Sequence, residues 1–460
     1  MTHSKLPLLT TLLRAAALFA ATLLWVSPLS TMPLPPDEEA GVVSEVTTDT
    51  DMRQMLSSEV IIPLEDEDDI NIPIPSFIKT SANHIILNGS DWTPIRRALG
   101  SITSATPVSI VHIGDSHVQA DISTSITRSL LQYDYGDAGR GLVCPLKMSG
   151  TNEPSDYTFR SRGSWNPAKL MSSSWHHTMG FTGTSIHPVT SSSNLIISTG
   201  ASDDYNPFTS LTLFHNGKLI VKDVTGDDGT PLGVRTIPSR DYTQILLTSP
   251  QTSVSISFAS AGDLTVYGAS LSGDRPGVFY HTIGNNGAAY ETYNRIGNVG
   301  VGIAPLQPNL VIISLGTNEA FGKFNSASFV ASIDRLVKNI RTANPDALIM
   351  LTTPMECHRS TTTSRRVKVR RNGKLRTVTR TSTSYAVNAN IAPVRTAILD
   401  YARRNSLPVW DWYEVAGGRG ASTVWIKNNL FAKDRVHHTQ RAYRIEGRLL
   451  YEALAETLRK

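Results

Sequence analysis

The sequence predicts an α/β protein, a doubly wound parallel sheet with an inserted β-sandwich domain. Apolar strand patterns alternate with amphipathic helix patterns in two halves of the chain, and a Ser/Thr-rich region with only short strand patterns separates the halves. Strands that alternate with helices favour a parallel sheet covered on both faces, which binds its ligands beyond the carboxyl ends of the strands. With 460 residues, of which 40% are hydrophobic and 18% charged, the chain can bury a sizeable core.

Residues 1–31 predict an export signal. Lys5 and Arg14 precede an apolar run over 15–26, and small residues follow it. A membrane anchor is the alternative, but Arg14 interrupts the stretch that would have to cross the bilayer. We therefore expect cleavage, no integral membrane span afterwards, and a periplasmic, envelope-associated or secreted protein.

Residues 32–90 predict an acidic, flexible leader, because Pro, Ser and Thr are frequent there and no sustained periodicity is present. Residues 37–69 contain twelve acidic residues and one basic residue, a net charge of −11. The chain as a whole carries +4, so the remainder is strongly basic. A basic body favours acidic partners, but no nucleic-acid-binding motif accompanies it, so nucleic acid is not an expected partner.

The α/β domain is predicted over 91–150 and 273–460. Its strands are predicted at 108–113, 310–315, 347–351 and near 408–412, each a short apolar run. Its helices are predicted to begin near residue 122 and to cover 326–342, 394–404 and 440–458, where apolar residues recur at helical spacing.

The inserted β domain is predicted over 151–272. Short alternating runs replace helices there, and Asn216-Gly217 is typical of a hairpin turn. Two roles remain open for the domain: a structural insertion, or a sugar-binding module whose aromatic rings stack on sugar faces. The candidate rings are those of Trp165, Trp175, Tyr205 and Phe208.

Two short segments predict a serine nucleophile and its base. Gly114-Asp115-Ser116-His117 lies where the first strand ends and its helix begins, so the Ser116 hydroxyl would face free backbone N–H groups. A serine hydroxyl needs a base, and the base needs an orienting carboxylate. Asp434 and His437, just before the last helix, provide both.

Two further segments predict an oxyanion hole. Asn318 follows the strand at 310–315, and its amide could point into the same crevice. The segment Gly284-Asn285-Asn286-Gly287 offers a backbone N–H at a residue without a Cβ atom. Each motif alone is weak, but four motifs in this order are hard to explain by chance.

The order Gly-Asp-Ser, Gly-x-x-Gly, Gly-x-Asn and Asp-x-x-His resembles the SGNH (GDSL-type) hydrolases. The resemblance implies Ser116 as nucleophile, His437 as base, Asp434 as orienting acid, and Ser116, Gly287 and Asn318 as oxyanion donors. Glu319 stands where the family usually has Asp. His438 is the competing base, but its spacing from Asp434 does not fit the family.

The inserted domain resembles the arrangement of two-domain peptidoglycan O-acetylesterases, in which a carbohydrate-binding-like module interrupts the SGNH fold. The resemblance implies a serine esterase that removes O-acetyl groups from a glycan, most simply peptidoglycan, without metal or cofactor. Alternatives are an esterase or acyltransferase acting on another glycan or a lipid, and a non-catalytic wall-binding protein. Whether Cys144 and Cys357 pair is left open.

Residues 359–380 predict a basic β-hairpin with nine basic residues, no acidic ones and an Asn372-Gly373 turn. The hairpin either protects a sheet edge from aggregation or binds carboxylates of an acidic glycan. The candidate binding residues are Arg366, Lys368, Arg370, Arg371 and Lys374.

Overall fold

The computed structural model describes residues 42–49, 72–200, 206–371 and 374–460. The predicted export signal and most of the predicted leader lie outside the described residues, as does the Asn372-Gly373 turn. The chain divides into two compact units, of which the smaller combines the start of the strand Val42–Asp49 with residues Ser364–Thr381. Each unit is described by itself.

The strands and helices follow the chain in this order. The strands are β1 (Val42–Asp49), β2 (Ile85–Ile86), β3 (Val108–Gly114), β4 (Gly141–Val143), β5 (Thr158–Arg160), β6 (Trp165–Lys169), β7 (Thr184–Pro188), β8 (Ser192–Ser198), β9 (Phe208–Thr225), β10 (Val234–Pro238), β11 (Tyr242–Gln251), β12 (Ser253–Ser272), β13 (Val278–Gly284), β14 (Leu310–Ser314), β15 (Leu348–Thr352), β16 (His358–Arg371), β17 (Lys374–Val387) and β18 (Val409–Trp410). The α-helices are α1 (Thr93–Gly100), α2 (Ser116–Gln119), α3 (Ile122–Tyr135), α4 (Tyr290–Asn294), α5 (Val299–Ile303), α6 (Ser326–Ala343), α7 (Ile391–Arg404), α8 (Trp412–Val415), α9 (Ala421–Lys427) and α10 (Gln440–Arg459). Short 3₁₀ helices cover Thr80–Ala82, Ala304–Leu306 and Glu319–Phe321.

The larger unit contains a sheet with the strand order β13-β3-β14-β15-β18-β2. Neighbouring strands are parallel except at the edge, where β2 runs antiparallel to β18. β3 is buried along its whole length, as expected of a strand covered on both faces. The helices form two groups, in which α3 packs against α10, and α6 packs against α4, α5 and α7. This architecture confirms the predicted doubly wound α/β fold.

The predicted leader extends too far, because residues 72–90 belong to the folded domain. Ile78 and Ile85 are buried, and β2 forms the edge of the sheet. Asn83 Oδ1 accepts a hydrogen bond from Trp410 Nε1 at 2.9 Å. A few apolar side chains spaced among polar residues therefore anchor this segment, and the prediction of a flexible leader was wrong for it.

Strands β4 to β12 form a separate antiparallel sheet with a hydrophobic core of its own, which confirms the predicted β insertion. Its two longest strands, β9 and β12, pair along most of their length with several register shifts. The domain begins with β4, earlier than the predicted boundary at residue 151, because β4 pairs with β12.

The turn predicted at Asn216-Gly217 is wrong, since β9 continues through both residues. Gly217 has a positive φ of 70°, and a register shift lies opposite, between Ala261 and Thr265. Asn216 Oδ1 accepts a hydrogen bond from the Thr265 backbone N–H at 2.8 Å. The Asn-Gly pair therefore forms an irregularity within a long strand instead of a hairpin turn.

The structure also bears on two points that the sequence raises, membrane spans and the two thiols. Of the helices in the described ranges, none is long and apolar enough to cross a membrane. Cys144 and Cys357 are both buried and free, so they do not form a disulfide in this structure.

Candidate active site

Three adjacent parallel strands carry the candidate residues to one edge of the sheet. Gly114 at the end of β3 is in register with Gly284 of β13 and with Ser314 of β14. Ser116, Gly287 and Asn318 lie in the segments that follow these three strands. The register of the sheet therefore explains why residues so distant in sequence lie together at the carboxyl ends of the strands.

Two strand-end glycines allow the chain to pack closely beneath Ser116. A Cβ atom at Gly114 would lie 2.9 Å from the Ser314 carbonyl oxygen, and one at Gly284 would lie 2.7 Å from the Val118 carbonyl carbon. Real Cβ atoms essentially never approach other atoms this closely. The turn that presents Ser116 at the start of α2 therefore requires glycine at both positions.

The structure brings Ser116, His437 and Asp434 together. Ser116 Oγ is 2.7 Å from His437 Nε2, and His437 Nδ1 is 2.5 Å from Asp434 Oδ2. The exposed fraction is 8% for Ser116 and 2% for His437. With Asp434 accepting from Nδ1–H, the Nε2 lone pair of a neutral His437 ring faces the serine hydroxyl, the arrangement in which imidazole acts as a general base.

Asp434 is held by the backbone of its own turn. Its Oδ1 accepts hydrogen bonds from the N–H groups of Val436 and His437, each at 3.0 Å. Arg435, the residue after Asp434, adopts a φ of 59°, an uncommon left-handed conformation for a residue with a side chain. Partial desolvation raises the pKa of Asp434, but the hydrogen bond and charge of His437 outweigh it and lower the pKa. Asp434 is therefore a carboxylate at neutral pH.

The competing base, His438, is not at the serine. It is buried, its Nδ1 lies 3.4 Å from Glu446 Oε2, and its ring packs against Trp425 and Tyr443. The structure thus favours His437 over His438, as the sequence spacing does.

Two of the three predicted oxyanion donors have free N–H groups. Within the described ranges, the backbone amides of Ser116 and Gly287 donate to no protein acceptor. Gly287 has a φ of 78°, a conformation that favours glycine. Both amides are therefore available to an oxygen atom of a bound ester.

Asn318, the third predicted donor, already donates hydrogen bonds within the protein. Its Nδ2 donates to Ala288 O at 2.9 Å and to Asp115 Oδ2 at the longer distance of 3.2 Å, and the residue is only 1% exposed. Binding an oxyanion would require Asn318 to share or exchange the weaker of these two hydrogen bonds. This constraint was not visible in the sequence.

Gln119 is a site residue that the sequence analysis missed. Its Oε1 accepts from the Asn286 N–H at 2.7 Å, and its Nε2 donates to Asn152 Oδ1 at 2.7 Å. Gln119 thereby connects the helix of Ser116 to the loop of Gly287 and, through Asn152, to the inserted domain. Its position one helical turn after Ser116 was a signal that could have identified it.

Two buried acids flank this region. Burial raises the pKa of Asp115 to about 7, although Asp115 Oδ1 accepts the His117 N–H. Burial likewise raises the pKa of Glu319 to about 7, partly offset by the hydrogen bond from the Tyr290 N–H. Both side chains are therefore partly protonated near neutral pH.

The other predicted binding residues belong to the smaller unit. Arg366, Lys368, Arg370 and Lys374 are exposed on β16 and β17 and belong to the smaller unit, as does Arg371. Among residues that the structure describes, no group of three or more His, Cys, Asp or Glu side chains could hold a metal ion.

The aromatic residues proposed as sugar platforms are mostly committed to protein contacts. Phe208 is buried in the core of the insert, Trp165 packs against Phe258, and Trp175 stacks on the Arg295 guanidinium at 4.7 Å. Tyr205 lies outside the described residues. The structure therefore contradicts a platform role for Phe208 and favours structural roles for the two tryptophans.

The Ser116-His437-Asp434 geometry is one in which a histidine base can activate a serine hydroxyl. Residues 255–445 match the model of the GDSL-like Lipase/Acylhydrolase family. The match contains Gly287, Asn318, Asp434 and His437 and begins after Ser116. It confirms the resemblance to the SGNH (GDSL-type) hydrolases: residues 255–445 are a GDSL-like lipase/acylhydrolase domain, which supports a carboxylic ester hydrolase.

One solved structure resembles this chain over both the α/β domain and the inserted domain. A peptidoglycan O-acetylesterase structure matches with a TM-score of 0.62 and 20% identity, over 83% of this chain and 98% of that chain. This match confirms the SGNH-like fold with its inserted domain.

Smaller matches include a lipase/acylhydrolase from Enterococcus faecalis (TM-score 0.27, 17% identity, 39% of this chain and 77% of that chain). Another is an active-site mutant of a family two carbohydrate esterase from Clostridium thermocellum (TM-score 0.27, 12% identity, 65% of this chain and 98% of that chain). No curated protein sequence matches the chain.

Proposed function

We propose that the chain is an exported serine esterase that removes O-acetyl groups from peptidoglycan. The observation that carries the proposal is the hydrogen-bonded series Ser116 Oγ, His437 and Asp434 at 2.7 and 2.5 Å, at the carboxyl end of the sheet. The likeness to a peptidoglycan O-acetylesterase over 83% of this chain, inserted domain included, supports this choice of polymer. Export is proposed from the N-terminal sequence alone.

In the proposed first step, Ser116 Oγ attacks the acetyl carbonyl carbon and its proton passes to His437 Nε2. The carbonyl oxygen becomes an oxyanion that accepts hydrogen bonds from the Ser116 and Gly287 amides. His437 then gives the proton to the departing sugar oxygen, which leaves an acetyl group on Ser116.

In the second step, a water molecule gives a proton to His437 and attacks the acetyl carbon. The bond between that carbon and Ser116 Oγ breaks, the proton on His437 returns to Ser116, and acetic acid leaves and ionises to acetate in solution. Each proton is returned, so the chain's own residues complete the cycle. Throughout, Asp434 accepts from His437 Nδ1–H and stabilises the imidazolium that forms.

The burial of the site favours a short acyl group. Ser116 is 8% exposed and His437 2% exposed, so a substrate must reach the serine with a small, protruding group. An acetyl ester on a sugar ring meets this requirement. Asn318 joins the oxyanion hole only by loosening its 3.2 Å hydrogen bond to Asp115.

Hydrolysis of a short chromogenic acetate tests the serine assignment. We expect Ser116→Ala to abolish turnover with the fold retained. The matched control is Ser125→Ala on α3, whose hydroxyl donates to Ile122 O at 2.9 Å outside the series and which should keep wild-type turnover. Equal activity of the wild type and Ser116→Ala would reject the mechanism.

Cell fractionation tests export independently. We expect the protein outside the cytoplasm and shortened at its N-terminus near residue 31. An uncleaved cytoplasmic chain would reject export and leave the chemistry unaffected.

A further inference from the structure

The smaller unit joins an acidic segment to a basic hairpin. β1, which lies within the acidic residues 37–69, is the edge strand of a three-stranded sheet with the order β1-β16-β17. The backbone of β16 is thus paired on one side with the other arm of the hairpin and on the other with a segment more than 300 residues earlier in the chain.

The hairpin is strongly cationic. Residues Ser364–Thr381 contain eight Arg or Lys residues and no acidic residue. Arg366, Lys368 and Arg370 occupy alternate positions of β16, so they share one face of the strand, and all three are exposed. On β17, Lys374 and Arg376 are also exposed.

So many like charges on paired strands repel one another, and an anionic segment or ligand nearby lowers that repulsion. The segment that contributes β1 carries −11 over residues 37–69. Because it belongs to the same chain, it acts at a high effective concentration and needs no second molecule. Strand addition to a sheet edge supplies backbone hydrogen bonds in addition to the charge attraction.

We propose that β1, a strand of the acidic segment, occupies the edge of the basic hairpin in cis and competes there with an acidic polymer. Release of β1 exposes the hairpin edge and removes the neutralising charge. The competing polymer binds through carboxylates, as Arg and Lys side chains require. That this polymer is peptidoglycan, with its stem-peptide carboxylates, rests on the proposed function. The pairing in cis does not.

The test uses the full chain with Ser116→Ala, so that binding is measured without turnover. Val46→Pro with Thr47→Pro changes two consecutive residues of β1. Since consecutive N–H groups point to opposite edges of a strand, one proline removes a donor to β16 whatever the register. Met55→Pro with Leu56→Pro is the matched control, with equal charge in the same acidic segment but outside β1.

Hydrogen exchange reports the pairing directly. We expect the amides of 42–49 to be protected in the parent chain and in the control variant, and unprotected in the β1 variant. Absence of protection in the parent chain would overturn the proposal.

Binding to purified peptidoglycan sacculi reports the competition. At low ionic strength we expect the β1 variant to bind about threefold tighter or more, a gain that disappears at high salt. Changing Arg366, Lys368 and Arg370 to Gln should abolish the gain. The same change at Lys218, Lys222 and Arg235, exposed on β9 and β10, should preserve it.

Two binding results would overturn the proposal. One is equal affinity of the two proline variants although β1 has lost its protection. The other is a gain that persists without the hairpin cations. Both measurements are made in the absence of hydrolysis, so a failure of the esterase assignment leaves them interpretable.

Discussion

Gly447 lies where the helix after His437 packs on the helix after Ser116. Gly447 O, in α10, accepts a hydrogen bond from Thr127 Oγ1, in α3, at 2.9 Å. A Cβ atom at position 447 would lie 2.9 Å from the Ser123 carbonyl carbon and closer still to the Ser123 oxygen. Gly447→Ala must therefore push the two helices apart, and with them the segments that carry the serine and its base.

The size of the effect follows from these distances. Carbon atoms in contact are normally about 3.5 Å apart or more, and the Ser123 oxygen lies closer still to the added atom, so the helices must separate by roughly 1 Å. A comparable lengthening would break the 2.7 Å hydrogen bond between Ser116 Oγ and His437 Nε2. Misplacement of reacting groups by about 1 Å lowers the rate about 100-fold, and overpacking lowers the free energy of unfolding by about 1–3 kcal/mol.

The assay is kcat for a short chromogenic acetate, measured well below the unfolding temperature of the variant. Gly100→Ala is the matched control, because a Cβ atom at this helical glycine of α1 meets open space. We expect the control to retain wild-type kcat and Gly447→Ala to lose about 100-fold. If Gly447→Ala is destabilised but retains wild-type kcat, helix packing does not set the serine-histidine distance.

Three further predictions follow from the site and the core. Asp434→Asn should lower kcat about 10³- to 10⁴-fold with little change in thermal stability, since it loses the charge that orients and stabilises the His437 ring; a kcat near wild type would contradict this. Burial raises the pKa of Glu319 to about 7, so its carboxyl group stays protonated to a higher pH in the folded than in the unfolded chain. The free energy of unfolding should therefore fall as the pH rises from about 4.5 to about 7. Glu319→Gln should remove part of that fall, at most about 3 kcal/mol, in urea unfolding at pH 5 and pH 8, and an unchanged slope would refute the assignment. Cys144 and Cys357 should resist thiol reagents in the folded protein and react after unfolding, because both are buried and burial raises the pKa of each thiol, that of Cys144 to about 12; rapid reaction of the native protein would contradict the structure.

The strands and helices with regular apolar patterns were predictable from the sequence. The prediction for α6, at 326–342, differs from the structure by a single residue, because five apolar residues on one face are buried there. The motifs of the site were predictable for a related reason. The motifs of Ser116, Gly287 and Asn318 each follow a strand of the parallel sheet, and the carboxyl ends of such strands meet at one end of the sheet.

Elements stabilised by distant contacts were not predictable. β13 carries polar residues in a buried strand, and only the fold shows that the Tyr280 hydroxyl lies 2.7 Å from His112 Nδ1 in the neighbouring strand. His112 Nε2 in turn lies 2.6 Å from Ser314 Oγ. Partners separated by 168 and 202 residues leave no local signal. The hydrogen-bond partners of Asn318 and the packing of residues 72–90 against the α/β domain could not be predicted for the same reason.

The most direct test of the central claim is acetate release from O-acetylated peptidoglycan, with acetylated xylan as the comparison polymer. We predict rapid release from peptidoglycan by the wild type, slower release from xylan, and none from either polymer by Ser116→Ala. Release that persists in Ser116→Ala would contradict the serine mechanism, and serine-dependent release from xylan alone would contradict the proposed substrate.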